Sequence, residues 1–266
     1  MRILVDGIGA QAVSLGGGGE PLLLLHGWGP ASVSLEKHLL PLGQALSSRY
    51  QVHMLEFPGH GQSDPPGGNW GVPDYAAWTL KAMDALAVRQ TAVVAHSFGG
   101  RIALHLAANT PQRFTRLVLT GCAGLKPRKT LEGRLRAQLF KAGRLGLKAA
   151  GLLPPFRNGA AELTRKLREE MASADYLATP EAMRGSFSRV VSQDARPLLP
   201  DIRQPVLLVW GERDTATPLW MGEALQRGLP DARLLVYQAD DHWAYRNQPV
   251  RFANAVDAFL QEGAGA

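Results

Sequence analysis

The stretch 91–108 constrains the fold of this chain more than any other. An apolar run leads into small residues, and apolar positions at helical spacing follow. This pattern predicts a buried strand, a sharp turn and a helix. Ser97 stands on the turn, with Ala95 two residues before it and Gly99 two residues after it. Small residues there permit the strained backbone that exposes a nucleophilic serine, and the alternative is an ordinary strand-to-helix turn.

The helix predicted after Ser97 would begin beside the serine, so its N-terminal N–H groups and positive dipole end would lie next to the nucleophile. The first N–H groups of a helix have no partner within the helix, and the helix dipole is positive at that end. Both features stabilise negative charge that develops beside the serine. The turn therefore predicts a reactive site at the carboxyl end of a buried strand.

Length and composition set the class of protein. A chain of 266 residues with 45% hydrophobic and 20% charged residues fits one large domain, or a domain with an insertion. The single cysteine, Cys122, excludes an internal disulfide and a cysteine-based metal cluster. The apolar run Leu22 to Leu25 is far too short to span a membrane, and Asp6 interrupts the apolar start. We expect a soluble, cytoplasmic protein without stable membrane insertion.

Strand and helix patterns alternate along most of the chain. Strands are predicted at 1–13 (an edge pair joined by a turn), 21–25, 50–57, from 91 into the turn, 116–121, 205–210 and 233–237. Helices are predicted at 34–46, 73–88, after Ser97, 219–229 and 250–260. This order predicts an α/β fold with a mostly parallel central sheet and helices on both faces.

The alternation stops between residues 125 and 200, where we predict a helical cap inserted over the sheet. The core would then comprise residues 1–124 and 201–266. Residues 126–170 contain twelve lysines and arginines but only four glutamates. A further helix is predicted over 171–191. This basic surface fits an ordinary solvated helix face best. Attraction of anionic substrates is the next interpretation, and contact with an acidic membrane or nucleic acid is the least favoured.

Three predicted loops at carboxyl ends of strands hold Ser97, Asp214 and His242, in that order along the chain. A serine hydroxyl needs a base within hydrogen-bond reach, and the base needs an acceptor that fixes its tautomer. Histidine suits this role because its unperturbed pKa is about 6.5. Taken singly, Asp214 would cap a turn or pair with Arg213, and His242 would close a loop. The order of the three is the more specific signal.

The chain resembles the α/β-hydrolase fold family over nearly its whole length. The similarity rests on these motifs: His26-Gly27-Trp28-Gly29, Phe57-Pro58-Gly59-His60-Gly61-Gln62-Ser63-Asp64, Ala95-His96-Ser97-Phe98-Gly99-Gly100, Trp210-Gly211-Glu212-Arg213-Asp214 with Pro218, and Asp241-His242-Trp243. The resemblance implies that Ser97 is the nucleophile, His242 the general base and Asp214 its orienter. It further implies an oxyanion hole formed by the main-chain N–H groups of Trp28 and Phe98.

Several positions depart from the family pattern. Ala95 replaces the usual first glycine, Glu56 stands where many relatives have aspartate, and Asp240-Asp241 replaces the glycine before the histidine. A serine nucleophile argues against the dehalogenase and epoxide hydrolase branches, which use aspartate. Some members place the acid of the triad after the strand that here contains Leu119. In this chain that position offers only Gly121 and Cys122.

The resemblance implies a serine hydrolase that cleaves a small carboxylic ester or thioester through an acyl-enzyme, without cofactor or metal. The alternative within the family is a carbon–carbon bond hydrolase of the meta-cleavage type. Trp243 favours that branch, whereas His96 argues against it because the branch usually has asparagine before the nucleophile. A non-catalytic binding protein on the same fold is a third possibility. The expected partner is a small ester-like molecule rather than nucleic acid, and the sequence makes no prediction of oligomeric state.

Overall fold

A computed structural model of the chain describes residues 1–30, 32, 34–126, 142 and 174–262. Within these residues the strands are Arg2–Val5 (β1), Ile8–Leu15 (β2), Pro21–Leu25 (β3), Gln51–Leu55 (β4), Thr91–His96 (β5), Phe114–Thr120 (β6), Val206–Gly211 (β7) and Ala232–Tyr237 (β8). They form one sheet in the order β1-β2-β4-β3-β5-β6-β7-β8. The β1–β2 and β2–β4 pairs are antiparallel, and all other neighbours are parallel. The predicted fold class is confirmed.

The described helices alternate with the strands. They are Leu35–His38 (α1), Leu40–Leu46 (α2), Val72–Ala85 (α3), Phe98–Asn109 (α4), Ala174–Ala178 (α5), Glu181–Ser192 (α6), Trp220–Gly228 (α7), Ala244–Asn247 (α8) and Pro249–Gln261 (α9). Two predicted helices are each divided. The helix predicted over 34–46 is interrupted at Leu39, where Pro41 begins a new first turn, and Pro180 separates α5 from α6. Proline lacks the N–H that a continuous helix requires.

Alternate residues of the central strands pack on opposite faces of the sheet. Leu23 and Leu25 of β3 belong to the core cluster that includes Ile102 of α4, whereas Leu22 and Leu24 belong to the cluster that includes Phe252 of α9. Every side chain of β5 is buried. Parallel strands covered on both faces are therefore continuous apolar runs, which is the pattern that the sequence showed.

The chain order reverses between β3 and β5. From β3 the chain passes to β4 on one side, and α3 then returns it to β5 on the other side of β3. The loops that follow β3 and β5 consequently leave the sheet in opposite directions and open a crevice at the carboxyl ends of the strands. Ser97 follows β5 directly, so it lies at this switch point.

The chain divides into two compact units, Met1–Leu125 with Pro180–Ala266, and Lys126–Thr179. In the first unit, α6 is joined to α4 by Arg101, whose Nη1 donates to the carbonyls of Val190 (2.9 Å) and Gln193 (2.5 Å). In the second unit, α5 is described, and nearly all of the basic stretch lies outside the described residues. The cap over 125–200 and the role of its basic face remain predictions.

Candidate active site

Ser97 has the strained backbone that its turn predicts. Its φ of 50° and ψ of −108° lie in a region that residues with a side chain rarely occupy. Its N–H donates to the Thr120 carbonyl (3.0 Å), and its own carbonyl accepts from Ala123 (3.0 Å). The neighbouring strand β6 and the residues after it therefore hold the turn by main-chain hydrogen bonds.

Gly99 lets helix α4 approach the end of β3. A Cβ atom at Gly99 would lie 2.7 Å from the carbonyl oxygens of both Leu25 and His26. The Gly99 N–H donates to the same His26 carbonyl (3.0 Å). The start of α4, where Phe98 lies, is thus pressed against the loop that contains Trp28, and only glycine fits this contact.

The loop after β3 is fixed by a buried histidine. His26 donates from Nδ1 to the Gly27 carbonyl (2.7 Å) and accepts at Nε2 from the Phe57 N–H (2.9 Å). Burial lowers the pKa of His26 to about 4, so its ring is neutral at pH 7. His26 therefore has a structural role. A Cβ at Gly27 would lie 3.4 Å from the Ser97 Cβ, which places the loop directly beside the nucleophile candidate.

An aromatic cluster surrounds the two predicted oxyanion-hole residues. Its members are Trp28, Phe57, His60, Tyr75, Phe98 and Phe187. The Trp28 ring lies 5.1 Å from that of Phe98 and 4.8 Å from that of His60. His60 is completely buried, and burial holds its pKa well below the ordinary value. The oxyanion-hole role of the main-chain N–H groups of Trp28 and Phe98 remains a prediction. The side chains of these two residues pack together.

Asp214 and His242 form a hydrogen-bonded pair. His242 Nδ1 donates to Asp214 Oδ2 over 2.8 Å, and the Asp214 side chain is fully buried. Thr217 adds a donor to the same oxygen, because its Oγ1 lies 2.7 Å away. Burial opposes the ionisation of Asp214, but the hydrogen bonds and charge of His242 and the Thr217 donors outweigh it and lower its pKa. The carboxylate is thus ionised and fixes the tautomer of the imidazole.

Gly121 provides the space for this pair. It follows β6 with a φ of +49°, and a Cβ there would lie 3.0 Å from His242 Nδ1 and 3.3 Å from Asp214 Oδ2. The position where some relatives place their acid is therefore a wall of the pocket for the imidazole. No pattern in the sequence predicted the roles of Gly121 and Thr217. A threonine three residues after an aspartate is a common turn signal, so it gave no specific warning.

The two acidic residues before His242 bind the segment that follows it. Asp241 Oδ1 accepts from the Trp243 N–H (2.8 Å), and Asp240 Oδ1 accepts from Asn247 Nδ2 (3.0 Å). Asp240 is buried, and its main-chain carbonyl accepts from the Arg213 N–H (2.8 Å). Both carboxylates therefore shape the loop that holds the imidazole.

Glu56 ties together two loops near the site. Its carboxylate accepts from the N–H groups of Gln62 (2.6 Å) and Leu35 (3.3 Å), and Ser63 Oγ donates to its carbonyl (2.8 Å). Burial raises the pKa of Glu56, although these hydrogen bonds favour its charged form. The departure from the family's aspartate therefore retains a carboxylate that fixes the loop containing His60.

Among the described residues, no cluster of three or more histidine, cysteine or acidic side chains has the arrangement of a metal site. In the same part of the chain, no helix combines the length and the apolar character that crossing a bilayer requires.

Residues 20–249 match the family model of the alpha/beta hydrolase fold. The chain therefore belongs to the α/β-hydrolase fold family. It is 30% identical over 259 residues to a 2-hydroxy-6-oxononadienedioate/2-hydroxy-6-oxononatrienedioate hydrolase of Paraburkholderia phymatum, with 92% of this chain and 88% of the relative covered.

Two solved structures share the fold. A meta-cleavage product hydrolase from Pseudomonas fluorescens IP01 superposes with a TM-score of 0.73 and 24% identity, covering 98% of this chain and 97% of that one. A bacterial membrane phospholipase A superposes with a TM-score of 0.75 and 24% identity, covering 100% of this chain and 86% of that one. At this level of identity the two structures show the shared fold.

Proposed function

We propose that the chain is a serine hydrolase in which Ser97 attacks a small carboxylic ester or thioester. The observation that supports this most directly is the buried Asp214–His242 hydrogen bond of 2.8 Å, on loops beside the strained turn of Ser97. An imidazole whose Nδ1–H is held by a carboxylate presents an unprotonated Nε2 to a hydroxyl. That is the arrangement that a serine nucleophile requires.

In the proposed reaction His242 takes the proton of Ser97 as the hydroxyl oxygen attacks the carbonyl carbon. The N–H groups of Trp28 and Phe98 stabilise the tetrahedral oxyanion, each contributing about 10²- to 10³-fold in rate. The protonated imidazole then gives its proton to the leaving alcohol or thiol. Water activated by His242 attacks the acyl-enzyme and releases the acid and free Ser97.

An uncharged acyl group fits the described side of the site. His26, His60 and His96 are buried there, and burial lowers the pKa of each, so their rings add no positive charge. Arg101 is a cation close to the turn; its Nη1 donates to two main-chain carbonyls, and its buried Nε has no hydrogen-bond partner among the described residues. A substrate with two carboxylates needs more than one cationic partner, so these residues favour an ester over a dioate.

Carbon–carbon bond hydrolysis is the second candidate. It is supported by the 30% identity to a dienedioate hydrolase and by Trp243 next to His242. Such a substrate would require its carboxylates to meet cations elsewhere in the chain. The same serine and base would then act on a ketone rather than on an ester carbonyl.

The test is a panel of p-nitrophenyl esters from acetate to palmitate, run beside a 2-hydroxy-6-oxohexa-2,4-dienoate, with the wild type and Ser97→Ala. We expect turnover of short esters that falls as the acyl chain lengthens, and its loss in Ser97→Ala with an unchanged melting temperature. Turnover of the dienoate alone would establish the second candidate. Equal ester turnover in Ser97→Ala would refute the serine mechanism.

A further inference from the structure

His96 lies between the candidate nucleophile and the candidate base, and the mechanism above does not use it. Its side chain is only 2% exposed, and Nε2 lies 3.1 Å from the main-chain carbonyl oxygen of His242. Its ring centroid is 4.6 Å from that of His242, 4.7 Å from Trp243 and 4.9 Å from Tyr245. The side chain of His96 thus contacts both the main chain and the ring of the base.

The partner of Nε2 fixes the tautomer of His96. A carbonyl oxygen only accepts hydrogen bonds, so Nε2 must carry the proton and donate it. The other nitrogen, Nδ1, is then an acceptor, and in the described part of the chain it is buried without a hydrogen-bond partner. An unpaired buried acceptor destabilises a fold. A purely structural residue at this position would avoid that cost by being apolar, so the bond to His242 is the feature that explains the histidine.

The ring of His96 is also held neutral. Burial is the largest cause that lowers its pKa, and the hydrogen bond to the His242 carbonyl opposes this only in part. Trp243 and Tyr245, the other rings packed against it, bring no positive charge. A neutral ring can donate a hydrogen bond to the loop that contains His242, here called the base loop. It does so without placing a second cation beside the imidazolium that forms on His242 during catalysis.

We propose that His96 is a positioning residue for His242, joining the main chain of the base loop to the strand that leads into the nucleophile. His96 is the last residue of β5, and Ser97 follows it immediately. One Nε2–H···O=C bond therefore ties the base to the residue beside the nucleophile, 146 positions away in the chain. The two reacting groups then keep a constant separation, although they belong to distant segments. This inference rests on the proposed serine mechanism.

The test compares His96→Gln with His96→Met. Both side chains are unbranched and similar in length, and only glutamine offers an N–H donor near the place of the imidazole Nε2. We expect His96→Met to lower kcat on the best ester by about 10- to 100-fold, because small displacements of reacting groups have effects of that order. KM should change little, since the acyl contacts are intact. His96→Gln should recover most of kcat.

His53→Met is the matched control. His53 is a buried histidine of β4 whose Nδ1 pairs with Ser14 Oγ at 2.9 Å, away from the base loop. Its replacement removes a comparable hydrogen bond from the same sheet. We expect a loss of melting temperature similar to that of His96→Met, with kcat near that of the wild type. A parallel fall of kcat in both variants would show that general destabilisation, rather than positioning, explains the effect.

Two measurements are independent of turnover. Hydrogen exchange of the main chain around residues 240–243 should be faster in His96→Met than in His96→Gln and His53→Met. In the wild type, ¹⁵N NMR should show the His96 proton on Nε2. A proton on Nδ1, or equal exchange in all variants, would overturn the inference. These two measurements test the positioning role of His96 even if the protein turns over no ester. The absence of ester turnover would count against the proposed function alone.

Discussion

The two sides of Ser97 are built in different ways. On the oxyanion side, β3 and β5 are paired in parallel register, and the Gly99 N–H bonds the loop after β3. On the base side, His242 lies on a loop that follows β8, the last strand of the described sheet, whose side chains are mostly half-buried. The contacts of that loop include side chains, among them Asp214, Asp241 and His96.

This difference shows which interactions determine each half of the site. Main-chain hydrogen bonds and the absence of a Cβ set the distance between the nucleophile and the oxyanion loop. Main-chain packing is also close on the base side, because a Cβ at Gly211 would lie 2.1 Å from the Asp241 carbonyl oxygen, but polar side chains additionally orient the imidazole. Glycine substitutions that meet the main chain should therefore cost mainly stability, and substitutions on the base side that exchange one polar group for another should cost mainly activity.

The largest effect is expected for Asp214→Asn. Asp214 Oδ1 accepts from the N–H groups of Ala216 (2.9 Å) and Thr217 (2.8 Å), so the amide oxygen of asparagine would remain there. Its NH₂ group would then face His242 Nδ1 and force the proton onto Nε2. We expect kcat to fall by about 10⁴-fold, as in other triads with this change, with little change in stability.

Steady-state kinetics with Asp64→Asn as a control would check this. Asp64 is a half-exposed carboxylate that bonds Arg2 and the Gly9 N–H, far along the chain from the base loop. We expect kcat close to that of the wild type in the control. A fall of less than about 10-fold in Asp214→Asn would mean that the carboxylate does not fix the tautomer of the base.

A pair of glycine substitutions tests the comparison directly. Gly99→Ala places a Cβ 2.7 Å from two main-chain oxygens that cannot move separately, and we expect the free energy of unfolding to fall by about 1–3 kcal/mol. Gly121→Ala meets the His242 imidazole instead, at 3.0 Å, and requires a φ of +49°. Its cost in stability should be about 1 kcal/mol, with most of the damage in kcat.

Urea unfolding and kinetics on both glycine variants would separate these effects. The difference inferred between the oxyanion side and the base side is wrong if Gly121→Ala is the more destabilising variant, or if Gly121→Ala leaves kcat unchanged. In either case main-chain packing, rather than side-chain placement, would dominate the base side as well.

A further expected effect concerns the acid stability of the oxyanion side and leaves catalysis near neutral pH aside. The folded-state pKa of His26 is about 4, below the value of about 6.5 in the unfolded chain. The unfolded state therefore binds a proton first, and stability that is present above pH 6.5 is lost as the pH falls towards 4. This histidine contributes a slope of about 1.4 kcal/mol per pH unit in that window.

Denaturant unfolding between pH 7.5 and 4.5 would measure this slope in the wild type and in His26→Gln. We expect the variant to be less stable at pH 7.5 and its slope to be shallower. His105→Gln is the comparison variant: burial lowers the pKa of this half-buried histidine on α4 as well, so its slope should also become shallower, but by less than in His26→Gln. An unchanged slope in His26→Gln would show that His26 is not held neutral by the fold.

Local patterns in the sequence determined the architecture and the positions of the candidate residues. Continuous apolar runs predicted the buried parallel strands, because both faces of such strands are covered. The small residues around Ser97 predicted its strained turn, since that geometry depends on residues within two positions. The proline signals within 34–46 and 171–191 were also local, and the division of these helices followed from the chemistry of proline.

The tertiary structure alone decided which residues surround the base. Gly121, Thr217 and His96 reach His242 from three different strand ends, and no local pattern connects segments so far apart in the chain. The strand order that brings β3 beside β5 likewise depends on where the crossing helix α3 packs. Sequence periodicity records which side chains are buried, whereas the partner of each buried polar atom is set by packing between distant segments.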